Sequence, residues 1–293
     1  MAHHIFCSGN GKEHRRDACA TRPMVNLDSQ QQSPCQPLMG DGEGSLQDYG
    51  EQPRERCEPA PGRGGHISPV LPANNLILVG TVHGDPRGYE RVRRLLERLR
   101  PDAVTVEISR FSARYRRAWE GRWQRQLKEA LAGLPVEASR HPAIRRVAAQ
   151  IALPFEYRAA RDYSRIYGAK CLPLDLGGLS RRHLPRYGQE LLSPANLRAL
   201  AGEPRESLEE EMAREYRRAR LACQRSPWRL AMDGSPETLR REFFVSRRLK
   251  RLVARGDGVV HLGGWEHLIP WREGPGLRSW LADQNPYIML ADE

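Results

Sequence analysis

Residues Asn74–Gly88 read NNLILVGTVHGDPRG. Leu76 to Val79 are aliphatic without a break and run into Gly80. A strand that faces water on one side alternates apolar with polar residues; a continuous run is the pattern of a strand covered on both faces, as in a parallel sheet between helices. Asp85-Pro86 then supplies a capping residue followed by proline at the first helical position. Val92, Leu95, Leu96 and Leu99 share one helix face. Pro101-Asp102 ends that helix, and AVTVEIS, Ala103–Ser109, reads as a second strand. Strand, helix and strand of this length form a βαβ unit with a right-handed crossover.

The same alternation continues outward. Arg110 to Gln150 reads as helical with breaks near Gly133–Pro135 and at His141-Pro142. Pro154–Gly168 is a helix with a glycine stop, and Ala169–Leu176 is a short strand ending at Asp175. Helical patterns run from Arg181 to Arg255. GVVHLGG, Gly258–Gly264, is a late strand followed by a loop with Trp265, Glu266 and His267. The expected class is α/β: a mainly parallel central sheet flanked by helices, with a helical insertion. Residues 1–70 are rich in Gly, Pro, Gln and Ser and poor in aliphatics. Such a segment cannot bury enough apolar surface to offset the entropy of ordering, so it is expected to be disordered, with 71–293 as the folded domain.

Net charge is +11 over 293 residues, which brings a polyanion partner into question. The cations are almost all Arg, with Lys only at 12, 128, 170 and 250, and acidic residues interrupt clusters such as Arg91, Arg93 and Arg94. No contiguous basic block appears, so a nucleic-acid partner is not expected; that reading would need the arginines on one face. No apolar window reaches the length of a membrane span, and the N-terminus has no apolar signal region, so a cytoplasmic location is expected. Cys7, Cys19, Cys35, Cys57, Cys171 and Cys223 form no CxxC pair, and disulfides are not expected in that compartment.

Ligands of open parallel sheets bind outside the carboxyl ends of the strands. His83, Glu107, Asp175 and His267 fall at such ends. Gly-x-x-His occurs at Gly11–His14, Gly80–His83, Gly258–His261 and Gly264–His267. About one match is expected by chance, so the bare motif is weak; only His83 and His267 follow an aliphatic strand into a loop. His261, inside its strand, reads as a core histidine with one hydrogen bond. Glu156 reads as a solvated or paired helix residue. Arg241 reads as an ion-pair residue on a helix.

LILVGTVHGD (76–85) with GYERVRRLLERLRPDAVTVEIS (88–109) resembles the opening of the TraB family, whose relatives include TIKI proteases and GumN-type proteins. FEYRAARDYSRIYGAKCLPLDLGGLSRR (155–182), RREFFVSRRLKRL (240–252) and VVHLGGWEHLIP (259–270) resemble later blocks in the same order. Three positions depart from that pattern. Trp265 and Glu266 replace small residues between the last Gly and His. Arg110 and Arg114 both compete for the Arg after Glu107. Asp175 is followed by Leu176, so Arg181 or Arg182 would have to supply the usual Arg.

The resemblance implies a metal-dependent hydrolase of peptide or ester bonds. His83 and His267 would be ligands of a divalent transition metal (Mn, Zn, Co or Fe) or general bases, Glu107 would be a ligand or would orient a His, and Arg241 or Arg110 would stabilise an oxyanion or bind a carboxylate. Asp175, Glu266 and Trp265 would line the substrate. Two imidazoles and a carboxylate can hold an ion that activates water; without a metal, a His oriented by Glu107 could take the proton directly. The alternative is a non-catalytic protein on the same fold that binds a signal peptide or haem.

Overall fold

A computed structural model describes residues 75–202, 207–224, 235–269 and 275–293. The segment expected to be disordered, with its four cysteines, lies outside the described residues, as does Pro270.

Five strands form one all-parallel sheet in the order β3-β2-β4-β1-β5. They are β1 (Leu76–Thr81), β2 (Ala103–Val106), β3 (Lys170–Pro173), β4 (Val259–Gly264) and β5 (Tyr287–Leu290). The α/β class and the parallel sheet are as the aliphatic runs predicted. The reading missed β5, Tyr-Ile-Met-Leu, an apolar run that begins with the exposed Tyr287. β1 and β4 lie in the middle and are buried along their whole length.

The helices are α1 (Gly88–Leu99), α2 (Arg110–Ala132), α3 (Pro142–Ile151), α4 (Phe155–Tyr167), α5 (Gly178–His183), α6 (Pro194–Ala201), α7 (Leu208–Gln224), α8 (Pro236–Val253) and α9 (Leu277–Trp280). α1 and α4 cover one face of the sheet, where Val92, Leu95, Leu96, Ala159, Ala160 and Tyr163 pack on Ile77, Val79, Val104 and Val260. α7, α8 and α9 cover the other, with Met212, Tyr216, Val245 and Leu249 against Leu76, Leu78, Ala103 and Val259. The division follows from chirality: β1 to β2 to β3 steps toward one edge and β3 to β4 to β5 steps back, so right-handed crossovers must lie on opposite faces. Each fully buried Leu, Ile or Val contributes on the order of 2 kcal/mol. The helical insertion has its own core, built on Trp123, Leu127, Ile144, Val147, Leu184 and Leu197.

Helix boundaries held best at strong stop signals. α2 ends at Ala132 before Gly133, and α3 starts at Pro142 with the His141 side chain accepting from the Ala143 N–H. The Asp85-Pro86 signal was misread: α1 begins at Gly88. Asp85 is instead a buried anchor whose carboxylate accepts from the Arg87 N–H (2.9 Å), the Arg91 guanidinium (2.8 Å) and the Tyr216 hydroxyl (3.1 Å). Gly84, at φ +85°, makes the turn beside it, in the left-handed region that glycine enters without a Cβ clash. At Gly88 a Cβ would come within 2.4 Å of the Phe155 ring, so glycine sets the close approach of α1 to α4.

Candidate functional site

Connections leave β1 and β4 on opposite faces of the sheet, which opens a crevice at their carboxyl ends. Thr81 and Gly264 are register partners there. His83 arrives from the loop after β1, Glu107 from just past β2, Asp175 from just past β3, and His267 from the 3-10 turn Trp265–Leu268 that follows β4. Two further groups enter from the helices: Glu156 from α4 on one face, and Arg241 with Glu242 from α8 on the other.

The first constellation is a dyad. His83 Nδ1 lies 2.9 Å from Glu156 Oε1. Glu156 is buried, and the hydroxyl of buried Thr81 donates to the same oxygen at 2.8 Å. A carboxylate on Nδ1 selects the tautomer with its proton there, which leaves Nε2 as the basic nitrogen. The His83 side chain is 41% exposed while Glu156 is 4% exposed, so the ring reaches solvent from a fixed, buried foot. Burial works against the charged ring, but Glu156, with smaller help from Glu107 and Glu266, outweighs it and raises the pKa above its ordinary 6.5. Solvent at the exposed edge of the ring screens both effects.

The second constellation is a buried charge network. Arg241 bridges Glu107 Oε1 through Nη2 and Asp175 Oδ1 through Nε. His267 Nε2 lies 2.8 Å from Glu107 Oε1, and its Nδ1 faces Glu242. The Gly264 N–H donates to Glu107 Oε2 at 2.8 Å. Burial would push the Glu107 carboxyl up, but Arg241 and His267 hold it well below the usual carboxylate range. Burial would likewise push the His267 ring down, yet Glu107 and Glu242 hold its pKa well above 6.5 and favour the charged ring. Asp175 is shifted upward, chiefly by burial, against the pull of Arg241.

Two glycines form the floor. A Cβ on Gly264 would lie 3.1 Å from His83 Nε2 and 3.6 Å from His267 Cδ2. A Cβ on Gly263 would lie 2.9 Å from Glu107 Oε2 and 3.4 Å from His261 Nε2. The missing side chain of Gly264 leaves His83 Nε2 uncrowded, and that of Gly263 does the same for the Glu107 carboxylate. His261 is the core histidine expected: buried, with Nδ1 2.9 Å from Thr105 Oγ1, and its pKa lowered by burial to about 4.

The predicted set thus comes together at His83, Glu107, His267, Asp175 and Arg241, with altered roles. His83 is oriented by Glu156, the residue read as solvated or merely paired, and not by Glu107. The signal was present in the sequence: Glu156, Ala160 and Tyr163 fall on one helix face, so a carboxylate stands on an otherwise apolar face. Glu242 was likewise missed, although it shares the buried face of α8 with Val245, Ser246, Leu249 and Leu252. Trp265 is not available to line a substrate; it is 3% exposed, packed in the core with the Arg218 guanidinium over its ring. Arg110 is exposed at the start of α2 and has no bond to the network. Glu266 is half-buried and acts on His83 through its charge.

As a ligand set, His83, Glu107 and His267 do not fit a divalent ion in this arrangement. Both ring nitrogens of His267 face carboxylates, so in this arrangement each nitrogen is directed at an acceptor and not at an ion. Glu107 already accepts from Arg241, His267 and Gly264.

No protein-family model, no curated protein and no solved structure matches the chain.

Proposed function

We propose that the chain is a hydrolase of peptide or ester bonds in which His83 is the general base and Glu156 its positioning residue. The observation that supports this reading is the dyad itself: a buried carboxylate on Nδ1, a half-exposed ring, and Nε2 facing the space above Gly264. The resemblance of four ordered sequence blocks to the TraB family points to hydrolysis of the same bonds, with a metal. His83 Nε2 takes a proton from water, and the hydroxide adds to the carbonyl carbon. Glu156 stabilises the imidazolium so formed, which then returns the proton to the leaving nitrogen or oxygen. The network on α8 holds Glu107 and the Gly263-Gly264 backbone in place under the cleft.

A metal-dependent form of the same activity is the second reading. It is favoured by one feature, the approach of the His83 and His267 rings to the same point above Gly264. It requires His267 to leave Glu107 and lose its proton.

The test is hydrolysis of a panel of activated esters and fluorogenic peptides by the full chain, before and after chelation, beside His83→Ala and Glu156→Gln. Turnover that survives chelation and falls roughly 10²- to 10⁴-fold in His83→Ala supports the base reading. Turnover lost on chelation and restored by Mn²⁺, Zn²⁺, Co²⁺ or Fe²⁺ supports the metal form. No turnover under either condition leaves a binding protein for a peptide or haem.

A further inference from the structure

The arginines that are dispersed in the sequence are not dispersed on the surface of α2. Arg110, Arg114, Arg117, Arg125 and Lys128 recur at spacings of four, three, eight and three residues, and all five are exposed. At 100° per residue they fall within an arc about 80° wide, over a rise of about 27 Å. The acidic residues of this helix, Glu120 and Glu129, lie outside that arc, and Glu120 is engaged by Gln124. None of the five cations forms an ion pair among the described residues, as is also true of other exposed arginines such as Arg94 and Arg98; what sets the five apart is that they share one arc of one helix. The middle of the row is Gly121, exposed, with only the tip of Arg125 within 4 Å of a Cβ placed there. Glycine inside a helix costs about 1 kcal/mol relative to alanine, and here it opens the ridge to close approach. The opposite side of α2 is pinned by Trp123 and Leu127 in the core of the insertion, so the ridge is held rigid.

We propose that this face of α2 docks the phosphate backbone of duplex nucleic acid. Four of the five cations are arginines, whose planar fork matches phosphate oxygens in pairs. A duplex presents a charge about every 1.7 Å along its axis, so a straight, rigid row meets several phosphates at once without ordering a flexible partner. The row carries no aromatic or aliphatic side chain, which removes the anchor an anionic membrane surface would engage. The inference does not depend on the hydrolase reading.

The test is binding of the full chain to a fluorescent duplex DNA of about 20 base pairs across roughly 50 to 200 mM salt. Engagement of all five cations gives a slope of log K against log salt of about −4.5. Arg114→Gln/Arg117→Gln/Arg125→Gln should flatten the slope by about 2.7 and weaken binding on the order of tenfold or more at low salt. The control, Arg94→Gln/Arg98→Gln/Arg251→Gln, removes the same charge from exposed sites on α1 and α8 and should leave the slope unchanged. Equal loss in both triple variants would mean attraction to net charge alone and would overturn the proposal. So would a flat slope in the wild type, or binding to phosphatidylserine vesicles without binding to DNA.

Discussion

Glu156→Gln isolates what the buried carboxylate does to His83. Glutamine keeps the size of the side chain and an oxygen where Thr81 and His83 meet it, at 2.8 and 2.9 Å, and removes only the charge. In the wild type the carboxylates together outweigh burial, with Glu156 the foremost among them, and hold the ring above 6.5; without it, burial is opposed only by the weaker pull of Glu107 and Glu266, so the pKa must fall. A hydrogen bond to a charged partner is worth about 1 kcal/mol more than a neutral one, and solvent at a ring 41% exposed reduces that figure further. Because the folded pKa is raised, this stability is fully present below 6.5 and is lost as pH rises through the folded value. The variant should therefore be less stable than the wild type in mildly acidic solution, by no more than about 1 kcal/mol, and the two should converge at alkaline pH. Urea denaturation across pH and NMR titration of the His83 ring measure both effects. An unchanged His83 pKa in Glu156→Gln, or a stability gap that widens with rising pH, would refute the dyad.

Other perturbations test the remaining parts. Arg241→Met leaves Glu107 and Asp175 buried without their shared cation and should cost about 3–5 kcal/mol in urea denaturation. The two floor glycines should respond differently to alanine. At Gly263 the new Cβ meets Glu107 Oε2 at 2.9 Å, an oxygen pinned by the Gly264 N–H, so stability should fall by about 1–3 kcal/mol. At Gly264 it meets the half-exposed His83 ring at 3.1 Å, which can yield, so stability should change little while any turnover falls as the cleft fills. The network also sets a pH window. Glu107 is depressed and contributes stability present above its ordinary 4.5 and lost as pH falls through the folded value; His267 is raised and contributes stability present below 6.5 and lost as pH rises through its own. Glu242→Gln should bring the alkaline loss to lower pH, read by thermal melts across pH, and an unmoved alkaline limb would exclude Glu242 as the partner of His267.

Much of the site was legible because it sits where strands end. His83, Glu107, Asp175 and His267 follow aliphatic runs, and a parallel sheet delivers the ends of its strands to one crevice. Glu156 and Glu242 were not legible by that rule, since helix residues reach the crevice only through packing. What marked them was a carboxylate on an apolar helix face, where an unpaired charge is costly. Trp265 was misassigned because proximity to His267 in the chain says nothing about direction: the ring turns into the core while the imidazole turns into the network.

The sequence by itself determined the class of fold, the central strands and the existence of a histidine-bearing crevice, because unbroken aliphatic runs and glycine or proline stops are local patterns with few physical solutions. Tertiary structure alone decided which carboxylate orients which histidine, that both nitrogens of His267 are turned to acids, and that the arginine ridge of α2 faces outward. Those outcomes depend on helix rotation and on which face of the sheet each crossover takes. Such geometry is set by the burial of many side chains at once, which no short stretch of residues carries.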